Sequence, residues 1–105
     1  MIKVLVKEPN KKAILKEINE FLRTKQAIVG GRIEIVTINH DPEILLICNE
    51  EGKLKGLEAS FSFRGEIIVG TVLFARGDDE GDIVGLEDDD LELIHRLTGV
   101  GVGRV

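Results

Sequence analysis

The residues with the most chemical content stand together at the end of an apolar run. Ile44-Leu45-Leu46-Ile47-Cys48 stops at Asn49, Glu50, Glu51, Gly52, Lys53, Leu54, Lys55 and Gly56. Polar, glycine-bearing loops that follow strand ends are where folds tend to place binding groups. Here Asn49, Glu50, Glu51, Lys53 and Lys55 can form a small polar site in which the lysines pair an anionic ligand or partner. The same composition also makes a plain solvated turn, with Asn49 closing an Asx-turn and Gly52 supplying positive φ. Both readings stay open.

A second cluster is acidic: Asp78, Asp79, Glu80 and Asp82, then Glu87, Asp88, Asp89, Asp90 and Glu92. A calcium loop needs oxygen ligands at fixed offsets with glycine at the sixth position, and Gly81 falls in no such register. Carboxylates at a hairpin tip and in the first turn of a helix, where the helix dipole favours them, explain the run. The sharper alternative is a negative surface made by Asp78, Asp79, Glu80, Asp88, Asp89 and Asp90, which mimics nucleic acid or engages a basic partner.

The remaining reactive groups form no catalytic set. Cys48 has no histidine near it in the sequence, so a packed, inert thiol is expected. His40 falls in a turn and His95 on the last helix, without the further ligands a metal site requires. Gly30-Gly31 and the glycines at 99, 101 and 103 follow helices, whereas phosphate loops precede them. No cofactor and no metal are expected.

Elements to hold these groups are readable from periodicity. Ile2–Val6 reads as a strand. Asn10 then caps a helix whose apolar stripe is Ile14, Ile18, Phe21 and Leu22, running to Val29 before the Gly30-Gly31 stop. Ile33–Ile38 and Ile44–Cys48 form a hairpin about Asn39–Glu43, with a bulge or two-sided burial in the first strand. Residues 53–58 suit a short edge strand, and Glu66–Arg76 the longest strand, with Gly70 in its middle. A strand over Ile83–Leu86 and a helix through Leu91, Ile94 and Leu97 follow, and residues 99–105 form a flexible tail or an added edge strand. The expected architecture is a single α+β domain over residues 1–105, ordered β-α-β-β-(β)-β-β-α. Its sheet is largely antiparallel or mixed, with a helix packed on one face.

Bulk properties narrow the setting. At 105 residues the chain has room for one domain and one core. A single cysteine excludes an intrachain disulfide, and with no membrane-length apolar run or signal-like N-terminus a cytoplasmic protein is expected. The net charge of −5 is unevenly spread: residues 1–77 carry twelve basic and ten acidic side chains, residues 78–105 two and nine. With no tryptophan, no tyrosine and four phenylalanines, stacking platforms are scarce, and direct nucleic-acid binding is not expected.

Several segments carry a resemblance. Ile2-Lys3-Val4-Leu5-Val6, Val29-Gly30-Gly31 with Ile33-Glu34-Ile35-Val36, the block Ile47 to Leu57, Ile68-Val69-Gly70-Thr71-Val72 and the acidic lead into the last helix together span nearly the whole chain. In them the chain resembles the family known as domain of unknown function 3846, found in bacteria and their phages and mobile elements. In that family a proline- and asparagine-containing loop tends to follow Lys-Leu-Lys-Gly-Leu; here Glu58-Ala59-Ser60-Phe61-Ser62-Phe63 stands in its place. The resemblance implies a compact α+β module of phage or mobile-element type and carries over no catalytic residue. The leading expectation is an accessory protein that binds rather than catalyses, through the Asn49–Gly56 loop, with a protein partner or by self-association. The alternatives are an acidic inhibitor of a host enzyme and a module binding a small anionic ligand such as a nucleotide.

Overall fold

Ile14 and Ile18, four residues apart, share a face whether the chain coils or extends. In the computed structural model, which describes residues 1–103, this segment extends. Strand β1 (Ile2–Lys7) turns back through Asn10, held at φ 63°, into strand β2 (Ile14–Ile18). The two pair antiparallel from Ile2↔Ile18 to Val6↔Ile14. The helix expected from Asn10 to Val29 is therefore corrected to a strand plus a shorter helix, α1 (Leu22–Val29). Asn19 marks its true start: the side-chain oxygen accepts from the Phe21 amide at 3.0 Å and the Thr24 hydroxyl at 2.6 Å. Phe21 and Leu22, assigned to the buried stripe, are 60% and 56% exposed. The helix ends where glycine predicts, with Gly30 at φ 84° and its amide bonded to the Gln26 carbonyl.

Strands β3 (Ile33–His40) and β4 (Glu43–Asn49) form the expected hairpin, with a register shift between Thr37 and Asn39. Residues 53–58 are not an edge strand; residues 53–56 are turns, closed by bonds from the Lys55 amide to the Glu51 carbonyl and from the Leu57 amide to the Gly52 carbonyl, and 57–58 lead irregularly into the next strand. The extra strand is β5 (Ala59–Phe63), which pairs with β6 (Glu66–Val69) in a separate two-stranded sheet. The expected strand Glu66–Arg76 divides at Gly70, where φ is +77° and a Cβ would stand 2.8 Å from Leu57 Cδ1. Beyond it β7 (Val72–Gly77) joins the main sheet. β8 (Ile83–Val84) and helix α2 (Asp88–Thr98) follow.

The main sheet runs β2-β1-β7-β4-β3 with β8 also on β7, and all its strand pairs are antiparallel. The fold is α+β. Alternation along the strands builds two apolar layers. Val4, Val6, Ile47, Leu73 and Ala75 face α1 through Val29. Leu5, Ile44, Leu46, Val72 and Phe74 face α2 through Ile94 and the β5–β6 hairpin through Phe63. The first helix thus packs across one face as expected, and α2 with the hairpin covers the other. The chain beyond α2 returns to the β1–β2 turn, with Ala13 bridging Val102 in parallel. Of the expected tail, residues 104–105 lie outside the described residues.

Candidate functional site

The end of β4 sits where α1, the 50–57 turns and the β5–β6 hairpin meet. Asn49, 6% exposed, is the pin: its Nδ2 donates to the Val29 carbonyl at 3.2 Å and its Oδ1 accepts from the Glu51 amide at 2.8 Å. The Asx-turn is thus formed, and its amide also ties the turn to the last residue of α1. Gly52 lies so close to β6 that a Cβ would come within 2.9 Å of Val69 Cγ2.

The charged members of the expected site diverge. Glu50 and Glu51 are exposed. Lys53 reaches across to Glu66 at 3.1 Å. Lys55 lies over the end of α1, its Nζ 3.1 Å from where a Gly31 Cβ would stand. The two lysines therefore do not converge on one point.

What the loop borders is a cleft of about 380 Å³ between β3–β4 and the β5–β6 hairpin. That volume lies within the range of small-ligand pockets, which run from roughly 300 to 1,000 Å³. Its floor is Leu46 and Cys48, its walls Val36 and Phe63, and its rim Arg64 and Ile67. Arg64 closes the hairpin at φ 51°, its guanidinium carbon 4.8 Å from the Phe63 ring centroid and its Nη2 donating to the Ile38 carbonyl at 3.4 Å. Sequence reasoning missed these wall residues. The alternation of Ser60 and Ser62 with Phe61 and Phe63, followed by Arg64-Gly65, is the signal of a strand entering a tight hairpin turn. The thiol on the floor is not poised to react. Burial first, then the charges of Glu34 and Glu66 and a hydrogen bond with Glu34, push Cys48 up to about 11.

The acidic residues separate into different jobs. Asp78 Oδ1 accepts from the amides of Glu80 and Asp82 at 3.0 and 2.8 Å, which holds the β7–β8 turn. The same turn brings carboxylate oxygens of Asp78, Glu80 and Asp82 within 4.8 Å of one another, all exposed. Asp79 and Asp89 are exposed, and Asp88 lies 3.7 Å from Lys3. Asp90 does not belong to the surface: it is 1% exposed and grips Arg76 with both oxygens, at 2.9 and 3.0 Å. Its Oδ2 also accepts from the Glu87 amide at 2.8 Å, completing a capping box. Burial alone would raise the Asp90 carboxyl; the bonds from Arg76 and the Glu87 amide, with the Arg76 charge, outweigh it and hold the group below its ordinary value.

The family model for the domain of unknown function DUF3846 matches residues 2–99. The chain belongs to that family. No curated protein and no solved structure matches it. The match covers every strand and both helices of this DUF3846 fold. No helix is long and apolar enough to cross a membrane among the described residues.

Proposed function

We propose that this chain is a non-catalytic accessory protein that works as a dimer. Two copies join through the free edge of β3, and the clefts beside the joined strands form the surface offered to other molecules. Membership of DUF3846, with the phage or mobile-element setting that the resemblance in the sequence implies, supports an accessory role. The raised thiol of Cys48 and the divergent charges of the 49–56 loop support binding over catalysis.

The observation that carries the reading is the edge itself. β3 is eight residues long and, among the described residues, hydrogen-bonds only β4 within the sheet. Its segment Ile33-Glu34-Ile35-Val36-Thr37-Ile38 holds no lysine and no proline, the residues that usually block edge pairing. At the opposite edge, β2 displays exposed Lys16 and Glu17. Ile35 and Val36 on β3 are 47% and 38% exposed.

Register fits a second copy. The Glu50 amide donates to the Arg32 carbonyl, so by antiparallel alternation Glu34 and Val36 turn their backbone groups towards β4. Ile33, Ile35 and Thr37 turn theirs outward. A twofold axis through Ile35 pairs Ile35 with itself and Ile33 with Thr37, every outward group finding a partner. Glu34 then faces Val36 rather than another Glu34, so no like charges oppose.

Sedimentation over a dilution series tests this. The wild type is expected to dimerise reversibly. Ile35→Lys sets two ammonium groups against each other on the axis and weakens association about tenfold or more. Lys16→Glu, on the other edge, leaves association unchanged. A wild type that stays monomeric throughout, or an Ile35→Lys variant as dimeric as the wild type, overturns the proposal.

A further inference from the structure

A second cleft, remote from β3, has a composition that the rest of the molecule does not share. It opens between the β1–β2 turn and the chain leaving α2, and measures about 520 Å³. Its charged lining consists of Lys7, Lys11 and Lys12 with His95 nearby, and no carboxylate lines it among the described residues. This occurs in a chain whose net charge is −5.

Two polar groups in this lining are incompletely satisfied. Lys7 is 9% exposed, yet among the described residues no carboxylate lies within 4.0 Å of its ammonium. Its hydrogen bond runs to the carbonyl of its own neighbour, Glu8, at 2.6 Å. Burial holds the Lys7 ammonium below its ordinary value of 10.5. The Ser60 hydroxyl is buried and has no hydrogen-bond partner among the described residues. A buried cation without a counter-charge and a buried hydroxyl without a partner are both costly, and one anion between them relieves both.

We propose that this cleft binds a phosphate group, held by Lys7 and Ser60 at its base and by Lys12 at its mouth. Lys11 is partly committed to Glu8, 3.7 Å away, and closes the rim. A phosphate supplies several acceptor oxygens on one centre, which matches ammonium and hydroxyl donors approaching from different strands. Ser60 comes from β5 and Lys7 from β1, so the ligand also bridges the two sheets.

The test is titration of the full chain with inorganic phosphate, followed by amide and side-chain NMR at constant ionic strength, and repeated with adenosine monophosphate. Saturable shifts centred on Lys7, Ser60 and the 99–102 backbone are expected. Lys7→Met weakens binding about tenfold or more, and Ser60→Ala about threefold. Lys53→Met, in the other cleft, leaves binding unchanged. Tighter binding of the nucleotide assigns the phosphate to a nucleotide; equal binding assigns it to the free ion. Shifts that persist in both Lys7→Met and Ser60→Ala overturn the proposal. So does the absence of shifts in this cleft with both ligands.

Discussion

Replacing Asp90 by alanine is expected to destabilise the fold by about 3 kcal/mol, the scale for removing one partner of a buried ion pair and a helix cap together. Asp90 bonds Arg76 on β7 and the Glu87 amide at the start of α2, so one carboxylate fastens the helix to the sheet. Without it Arg76, whose side chain is only 25% exposed, keeps its charge and loses its main counter-ion. Glu87, 3.4 Å from Arg76 and largely exposed, compensates weakly. For a domain of this size the midpoint of thermal unfolding falls by roughly 15 °C. Asp90→Asn retains a cap oxygen and should fall between wild type and alanine.

The dependence on pH has a definite sign. The Asp90 carboxyl titrates lower in the folded chain than its ordinary 3.8. Its contribution is therefore complete above that value and disappears as pH falls through the lower folded value. Urea unfolding of wild type and Asp90→Ala should show the full gap at pH 7 and a closing gap below 3.8. A gap that stays constant into strong acid means that the ion pair is not its source.

Phe74→Ala carries the other large effect, about 4 kcal/mol, the range for truncating a buried aromatic ring. Phe74 is fully buried on the central strand, between Leu5 of β1 and Leu46 of β4. Its ring centroid lies 5.8 Å from that of Phe61 on β5. It is thus both the middle of the main sheet and the floor on which the hairpin rests. Hydrogen exchange separates these roles: amides of β5 and β6 should lose more protection than those of β1 and β4. Equal losses everywhere would mean that the hairpin is held by contacts other than this ring. A Phe61→Leu variant, which keeps an apolar side chain on β5, should cost about 1 kcal/mol.

Much of this architecture is legible in the residues. β1, β3, β4 and α2 follow from β-branched runs and from an acidic helix start, and both helices stop at glycine. The first helix misled because Ile14 and Ile18 satisfy period 2 and period 3.6 equally; pairing with β1 decided between them. Gly70 is visible as an interruption, but only the Leu57 side chain packed against it shows why one apolar segment serves two sheets. Asn49 was legible as a turn residue, whereas its bond to Val29, twenty positions away, was not. Asp90 reads as one more surface acid until Arg76, fourteen residues back, is brought beneath it. In each case the missing information is a contact distant in sequence, which composition and local spacing do not encode.

The position of β7 also constrains how the molecule comes to exist during synthesis. β1 and β4 do not touch each other as neighbours; each is bonded to β7, which begins only at Val72. A nascent chain that has emerged only as far as Gly70 holds the β1–β2 and β3–β4 hairpins with no strand between them. The keystone arrives late, and until it does Leu5 of β1 and Leu46 of β4 lack Phe74, the residue that stands between them in the finished sheet.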